Sequence, residues 1–159
     1  MDLCDAIIMP GGLKTYEYDY YIASYAKEKN IPILGICAGM QVMAREEYGV
    51  KLELCPTNMH KTNKIYAHSV YIDKNTLLYD ILKKEEIMVN SHHRYYVPNK
   101  GIKNISAVSI EDSIVEAIEN PNCNFNIGVQ WHPEKLGDEN AKKLFEYFID
   151  EAKKYQKRK

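Results

Sequence analysis

Residues 31–39, Ile-Pro-Ile-Leu-Gly-Ile-Cys-Ala-Gly, decide the fold of this 159-residue chain. Residues 31–36 form a continuous apolar run without polar alternation, which is typical of a parallel strand buried on both faces. After Gly35 the pattern changes to that of a helix, which we predict over residues 38–48 with Gly49 as its end. A buried strand that turns directly into a helix indicates an α/β architecture.

The segment before this strand has the same order of elements. Residues 6–9 are apolar and are stopped by Pro10-Gly11-Gly12, which predicts a short buried strand and a tight turn. Apolar and aromatic residues then recur at helical spacing over residues 16–29, and Asn30 and Pro32 end that helix. Strand, helix, strand, helix is the order expected of parallel α/β units.

The rest of the chain predicts further strands and two more helices. We expect strands over residues 64–73, 87–89 and 127–131, and an antiparallel pair over 105–110 and 114–118. The helices are expected over residues 77–83 and 139–155. No repeat or linker separates these segments, so residues 1–159 are interpreted as a single domain.

Composition and charge exclude several classes of function. With a formal net charge of −1 and no basic stripe, nucleic-acid binding is not expected, and the apolar runs are too short for a membrane partner. The four cysteines show no Cys-x-x-Cys pair, which favours a soluble, cytoplasmic protein without disulfides. His60, His68 and Glu53 lack metal-site spacing and are interpreted as surface or strand residues, so no metal is expected.

The turn at residues 35–39 also suggests chemistry. A Gly-x-Cys-x-Gly turn between strand and helix is a nucleophile elbow, in which the nucleophile occupies a strained turn. Cys37 is then expected at the N-terminus of the following helix, where the helix dipole favours the thiolate, and the Ala38 N–H points to a developing oxyanion. Without this context, a cysteine between glycines is more often a small buried residue.

A cysteine nucleophile needs a base and a group that orients the base. His132 follows the predicted strand over residues 127–131, at the sheet edge where α/β proteins present functional groups. In extended chain Glu134 faces the same side as His132 and is expected to fix its tautomer, with Pro133 stiffening the link. A lone histidine here would be interpreted as a satisfied strand end, but the elbow favours the catalytic interpretation.

Two motifs together carry a resemblance to a known family. Gly-Ile-Cys-x-Gly-Met-Gln at residues 35–41 and Gly-Val-Gln-Trp-His-Pro-Glu at 128–134 resemble class I glutamine amidotransferases. The chain is most similar to their stand-alone relatives, the γ-glutamyl-γ-aminobutyrate hydrolase and γ-glutamyl hydrolase group (peptidase C26). Residues 5–12 and 89–93 resemble two further segments of that family. The resemblance implies a flavodoxin-like fold with a central, mostly parallel sheet and flanking helices.

The resemblance also implies roles for particular residues. Cys37 would be the nucleophile, His132 the general base and acid, and Glu134 the orienting group. The backbone N–H groups of Gly12 and Ala38 would form the oxyanion hole. The substrate contacts implied by the family are Gly11, Gln41 and the backbone of Asn90, Ser91, His92 and His93. His92 and His93 are rival bases in principle and are expected to be loop residues or binding contacts; no metal or organic cofactor is implied.

The sequence departs from the family in two places. Two strands and a helix that usually precede Pro-Gly-Gly are missing, so the usual first strands are expected to be absent and the domain N-terminally short. Truncation, a homo-oligomer or partner chain that covers the incomplete sheet, or a reduced core would explain this. Leu13-Lys14-Thr15 and Ala38 stand where the hydrolases often carry an acidic residue and an arginine, which leaves the leaving amine undefined.

Three functions follow from the resemblance and stay open on the sequence alone. The first is a free-standing hydrolase that cleaves the amide of a small γ-glutamyl compound through a γ-glutamyl thioester. The second is the glutaminase subunit of a two-chain amidotransferase. The third is a truncated, inactive homologue that keeps the triad.

Overall fold

The computed structural model describes residues 3–159, which form a seven-stranded mixed sheet and a two-stranded ribbon with helices around them. The strands are β1 (Ile7–Met9), β2 (Ile33–Ile36), β3 (Glu53–Leu54), β4 (His68–Ile72), β5 (Glu86–Val89), β6 (Tyr95–Tyr96), β7 (Ile105–Ser109), β8 (Val115–Glu119) and β9 (Asn126–Val129). The helices are α1 (Glu17–Glu28), α2 (Ala38–Tyr48), α3 (Leu77–Leu82), α4 (Pro133–Leu136) and α5 (Glu139–Arg158), with a 3₁₀ turn at Asn58–His60.

The large sheet has the strand order β1-β2-β9-β8-β7-β4-β5. The pairs β1–β2 and β2–β9 are parallel, and all remaining pairs between described strands are antiparallel. The predicted α/β class is thus confirmed. The sequence predicts a mostly parallel sheet, but parallel pairing is limited to the three strands β1, β2 and β9. The short connections at residues 110–114 and 120–125 force β7, β8 and β9 to alternate in direction, because parallel strands need long crossovers.

The sheet lies between two helical layers, and its strands are apolar on both faces. Ile33 points to the layer that contains α1 and α2, whereas Leu34 points to the opposite layer with α3 and α5. Phe125 and Phe148 pack against each other in the second layer, with ring centroids 5.3 Å apart. Burial on both sides explains why residues 33–36 lack alternation in the sequence.

The end of the chain is an amphipathic helix. The Asp138 side chain caps α5 by accepting a hydrogen bond from the Ala141 N–H at 2.9 Å, and the helix continues to Arg158, three residues beyond the predicted end. Within the described part of the chain, no helix is long and apolar enough to cross a membrane.

Some short elements escape the sequence prediction. The sequence predicts no element for either strand of the β3–β6 ribbon or for the 3₁₀ turn. The predicted strand over residues 64–73 begins only at His68. Two-residue strands carry too few side chains to show a period, so a sequence pattern does not reveal them.

The close approach of α2 to β1 gives a prediction on stability. A Cβ atom built at Gly39 would overlap the Met9 carbonyl oxygen, which is rigid backbone of β1. We expect Gly39→Ala to lower the free energy of unfolding by about 2 kcal/mol or more, because β1 and α2 must separate. Urea unfolding followed by circular dichroism measures this. Gly12→Ala is the control, since the nearest atom to its added Cβ, the Lys14 carbonyl oxygen, is 3.7 Å away; equal losses would contradict the packing argument.

Candidate active site

Cys37 lies at the junction between β2 and α2 in a strained backbone conformation. Its φ and ψ angles are 50° and −103°, a region that a residue with a side chain rarely adopts. The Cys37 N–H donates to the Val129 carbonyl of β9 at 2.8 Å, which holds the turn against the sheet. This is the strained elbow expected from the glycine spacing, and such strain typically costs about 1 to 3 kcal/mol.

The environment of the Cys37 sulfur differs from the sequence-based expectation. Burial raises the pKa of the Cys37 thiol to about 11, and the Ala38 backbone N–H only partly opposes this rise. The expected thiolate, favoured by the N-terminus of α2, is therefore wrong for the ligand-free protein: desolvation outweighs the helix end. At neutral pH the thiol keeps its proton, so a nearby base is needed for attack.

His132 and Glu134 form a hydrogen-bonded imidazole–carboxylate pair, the arrangement that a general base and its orienting group require. The His132 Nδ1–H donates to Glu134 Oε1 at 2.6 Å, which leaves Nε2 as the proton-accepting nitrogen. The expectation of an extended chain here is wrong, because Pro133 is the first residue of α4 and Glu134 lies in its first turn. The helical turn nevertheless brings the carboxylate to the imidazole.

Asn90 holds the backbone of His132 from the end of β5. Its Oδ1 accepts from the His132 N–H at 2.8 Å, and its Nδ2 donates to the His132 carbonyl at 2.9 Å. Asn90 is buried, so these two bonds are shielded from water. The family resemblance implies a substrate contact through the Asn90 backbone, which stays a prediction; the Asn90 side chain positions His132.

Gly11 brings Cys37 and His132 to one place. A Cβ atom built at Gly11 would lie 2.6 Å from His132 Cε1 and 3.5 Å from Cys37 Cβ. The imidazole and the cysteine side chain therefore flank the same point, and only a residue without a side chain leaves room for both. Three segments that are distant in sequence meet here, namely the loop after β1, the elbow and the start of α4.

Two glutamine side chains form a series of hydrogen bonds that ends at the Cys37 sulfur. Gln130 Nε2 donates to Cys37 Sγ at 3.5 Å, and Gln130 Oε1 accepts from Gln41 Nε2 at 3.1 Å. Gln41 also donates to the Tyr95 carbonyl at 3.0 Å. The sequence pattern predicts no role for Gln130, although an amide inside an otherwise apolar strand-end motif is a signal for one, since buried polar groups require partners.

The predicted site residues divide between an open cleft and the protein interior. A cleft of about 690 Å³ opens in front of Cys37. Its lining contains the predicted residues Gly12, Cys37, Ala38, Gln41, His92 and His93. The rings of His92 and His132 meet edge to face, with centroids 5.7 Å apart. The Ser91 side chain is fully buried and lies 3.1 Å from His60 Nδ1, and the backbone contact with a substrate that the resemblance implies here stays a prediction.

The mouth of the cleft is positively charged. Four exposed cationic side chains line it: Arg45, Lys51, Lys61 and Arg94. Over residues 3–159 no aspartate or glutamate belongs to the cleft lining, and no ion pair neutralises these four side chains. The cleft therefore attracts anionic groups.

Behind the cleft lies a buried cluster of histidines around one carboxylate. His60, His68 and Glu116 place one potential ligand atom each within 4.8 Å of one another. His93 also turns its imidazole towards Glu116. The interpretation of His60 as a surface residue is wrong, because it is fully buried; His68 opens β4, as a strand residue should.

The comparisons with known proteins agree with this geometry. The family model for peptidase C26 matches residues 14–134. The chain is 33% identical to a CTP synthase of Hydrogenobaculum sp. over 96% of its length, but it spans only 35% of that enzyme. It is 30% identical to a putative glutamine amidotransferase-like protein, RP404, of Rickettsia prowazekii, and the match covers 87% of this chain and 73% of that protein.

Solved structures give the same assignment. The glutaminase domain of Trypanosoma brucei CTP synthase, solved with bound acivicin, superposes with a TM-score of 0.79 at 26% identity and covers 96% of this chain and 72% of that one. A glutamine amidotransferase from Thermotoga maritima shares the fold, with a TM-score of 0.62 at 19% identity over 94% of this chain and 65% of that one. The chain belongs to the peptidase C26 family of the class I glutamine amidotransferase-like superfamily.

Proposed function

We propose that the protein is a cysteine hydrolase that cleaves the side-chain amide of a small γ-glutamyl compound through a γ-glutamyl thioester. The observation that carries this proposal is the meeting of Cys37 with the His132–Glu134 pair around Gly11, at the base of an open cleft. The chemistry of a thiol, an imidazole and a carboxylate in this order suits acyl transfer.

The reaction follows from the roles of these groups. His132 Nε2 takes the thiol proton as Cys37 Sγ attacks the amide carbonyl, and the backbone N–H groups of Gly12 and Ala38 stabilise the oxyanion. His132 then gives its proton to the leaving amine as the C–N bond breaks. Water, deprotonated by His132, attacks the thioester, and glutamate leaves while the thiol regains its proton. Glu134 orients the imidazole throughout and stabilises the imidazolium each time it forms.

The positive cleft mouth supports a leaving amine that carries an anionic group. Lys61 and Arg94 line the same cleft as His92 and Cys37, so a substrate bound at Cys37 shares the cleft with cationic side chains. A carboxylate on the leaving group would be attracted by these exposed cations. We therefore favour γ-glutamyl amino acids and γ-glutamyl-γ-aminobutyrate over γ-glutamyl alkylamines.

A panel of substrates tests the proposal directly. Glutamate release is measured with glutamine, γ-glutamyl-γ-aminobutyrate, γ-glutamyl amino acids and a neutral γ-glutamyl alkylamide, with Cys37→Ala as the control. The proposal requires release from the γ-glutamyl amines by the wild type alone, fastest with anionic leaving groups. Release from every substrate by Cys37→Ala as well would contradict it.

A glutaminase subunit of a two-chain amidotransferase is the second candidate. One observation favours it: the matched CTP synthase is about three times longer than the segment that this chain covers. Apolar side chains are also exposed around the edge strand β1, among them Ile8, Leu13 and Tyr16. Release of glutamate from glutamine only, increased by a co-purifying synthase chain, would favour this function. Silence over the whole panel would favour an inactive homologue.

The bonds from Asn90 to His132 give a prediction on the kinetics. Asn90→Ala removes both hydrogen bonds to the His132 backbone, so we expect kcat to fall by about 10- to 100-fold while KM changes little. Steady-state kinetics with the best substrate of the panel measure this split. Asn90→Asp keeps the acceptor for the His132 N–H and should retain more activity. A rise in KM at constant kcat would instead identify Asn90 as a substrate contact.

The raised pKa of Cys37 gives a prediction on pH dependence. Below a pKa of about 11 the thiolate fraction grows about tenfold per pH unit, so alkylation of Cys37 by iodoacetamide should keep accelerating above pH 9. Peptide mass spectrometry at several pH values follows each cysteine separately. A rate that levels off by pH 8 would show that the helix N-terminus, rather than burial, controls this thiol.

A further inference from the structure

The buried cluster behind the cleft has the arrangement of a metal site. His60, His68 and His93 converge on one oxygen, Glu116 Oε1, from Nδ1 at 3.5 Å, from Nε2 at 3.4 Å and from Nε2 at 3.8 Å. All four residues are at most 5% exposed. They come from the 3₁₀ turn, β4, the loop after β5 and β8, so the cluster joins four separate elements.

The hydrogen bonds on the outer side of each imidazole orient the inner nitrogens. His60 Nε2 is 2.9 Å from Asp112 Oδ2, His93 Nδ1 is 2.9 Å from the Tyr95 carbonyl, and His68 Nδ1 is 3.3 Å from the Ser69 carbonyl. Each outer nitrogen thus donates its proton to an oxygen. The inner nitrogens then carry lone pairs, which is the arrangement that oxygen acceptors impose on metal-binding histidines.

The inner atoms lack conventional partners. Among residues 3–159, no hydrogen-bond partner exists for His68 Nε2, His93 Nε2 or either oxygen of Glu116. His60 Nδ1 is the exception: Ser91 Oγ, 3.1 Å away, donates to its lone pair, and this hydroxyl hydrogen must rotate away when the nitrogen binds an ion. Lone pairs that face a buried carboxylate repel it, and buried polar atoms without partners are costly, so a cation between them would resolve both penalties.

The spacing between three of the inner atoms, on His60, His68 and Glu116, suits a small divalent ion. Zinc with bonds of about 2.0 to 2.2 Å separates its donor atoms by roughly 3.3 to 3.6 Å. His68 Nε2 and His60 Nδ1 lie 3.4 and 3.5 Å from Glu116 Oε1, within this range, whereas His93 Nε2 lies farther out at 3.8 Å. Three imidazole nitrogens and one carboxylate oxygen suit zinc, and the charges of Glu116 and Asp112 balance a divalent ion.

We propose that His60, His68 and Glu116 bind a divalent zinc-class ion in a buried, structural site, and that His93 moves closer to become its fourth ligand. This departs from the absence of a metal expected from the sequence, because the ligands share no spacing along the chain. The bound ion links the loop that carries Asn90 and His92 to β4 and β8. It therefore stabilises the wall of the cleft and the two hydrogen bonds between the Asn90 side chain and the His132 backbone. The proposal does not depend on the γ-glutamyl substrate.

The first experiment uses the wild-type chain. After dialysis against a chelator, zinc is titrated by calorimetry, and cobalt(II) is titrated by visible absorption. We expect one ion per chain, tetrahedral cobalt bands without thiolate charge transfer, and a rise in Tm of roughly 5 to 10 °C at zinc a hundredfold above its dissociation constant. No stoichiometric binding of either metal would overturn the proposal and would leave a cluster that shares protons only.

Variants locate the ion. His68→Asn and Glu116→Gln should weaken zinc binding by more than about 100-fold, and Asp112→Asn by about 10- to 100-fold, because Asp112 only orients His60. His92→Asn is the matched control, since His92 adjoins His93 in sequence but faces the cleft, and Cys37→Ala excludes binding at the nucleophile. Both controls should keep the full zinc content. Zinc lost in Cys37→Ala, or retained in folded His68→Asn and Glu116→Gln, would overturn the assignment.

Discussion

Replacing Cys37 by alanine should abolish release of glutamate from every γ-glutamyl substrate, with kcat at least about 10⁴-fold below that of the wild type. In the proposed reaction the sulfur forms the bond to the acyl group, and no other thiol lies in the cleft lining over residues 3–159. Water could then attack only with help from His132 and the oxyanion hole, which is a far slower route. Stopped assays with coupled glutamate detection measure the remaining rate.

The fold should survive this substitution. Cys37 is small, and alanine removes a single buried atom, so the loss of stability should be about 1 kcal/mol. Cys37→Ser is a second control, because its hydroxyl keeps the shape of the thiol but is a much weaker nucleophile here. A folded Cys37→Ala protein with more than a tenth of the wild-type rate would contradict the role of Cys37.

Adding a methyl group at Gly11 should cost about 100-fold or more in kcat, although the residue makes no side-chain contact with a substrate. The new Cβ would lie 2.6 Å from His132 Cε1, so the imidazole must rotate away from Cys37 or from Glu134. Displacements of about 1 Å in a catalytic group can cost about two orders of magnitude. Steady-state kinetics of Gly11→Ala, with unfolding curves to confirm the fold, measure the effect.

Gly12→Ala is the matched comparison for Gly11→Ala. The nearest atom to its added Cβ is the Lys14 carbonyl oxygen at 3.7 Å, and alanine keeps the N–H that we assign to the oxyanion hole. We therefore expect only a few-fold loss in kcat. Near-normal activity in Gly11→Ala would show that His132 is not held against Gly11 during turnover, and would require a different base.

The local part of the fold can be predicted from the sequence, whereas the distant pairings cannot. The sequence predicts the helix over residues 38–48 with both ends correct, because strand, turn and helix follow one another directly in the chain. Contacts between segments that are distant in sequence determine which strands pair with β4 and β7. The spacing of apolar residues along the chain carries no information about such contacts. That is why the sequence underestimates the antiparallel part of the sheet.

The same division holds for the site. Cys37, His132 and Glu134 can be named because each lies in a short motif with a chemical reason for its spacing. The hydrogen bonds between Asn90 and His132 join residues 42 positions apart, and the bond from Gln130 to Cys37 joins residues 93 positions apart. Contacts over such separations produce no recognisable pattern in the local sequence. The pKa of Cys37 is raised because the thiol is buried. The position of Cys37 at a helix end does not indicate how deeply it is buried.

Trapping the acyl-enzyme tests the central claim most directly. The wild-type protein is mixed with its best γ-glutamyl substrate, quenched in acid within milliseconds to seconds, and mapped by peptide mass spectrometry. A γ-glutamyl group on the peptide that contains Cys37, absent in Cys37→Ala and released on longer incubation, is the result that we predict. Glutamate release at the wild-type rate without any adduct on Cys37, or with the acyl group on another residue, would contradict the account.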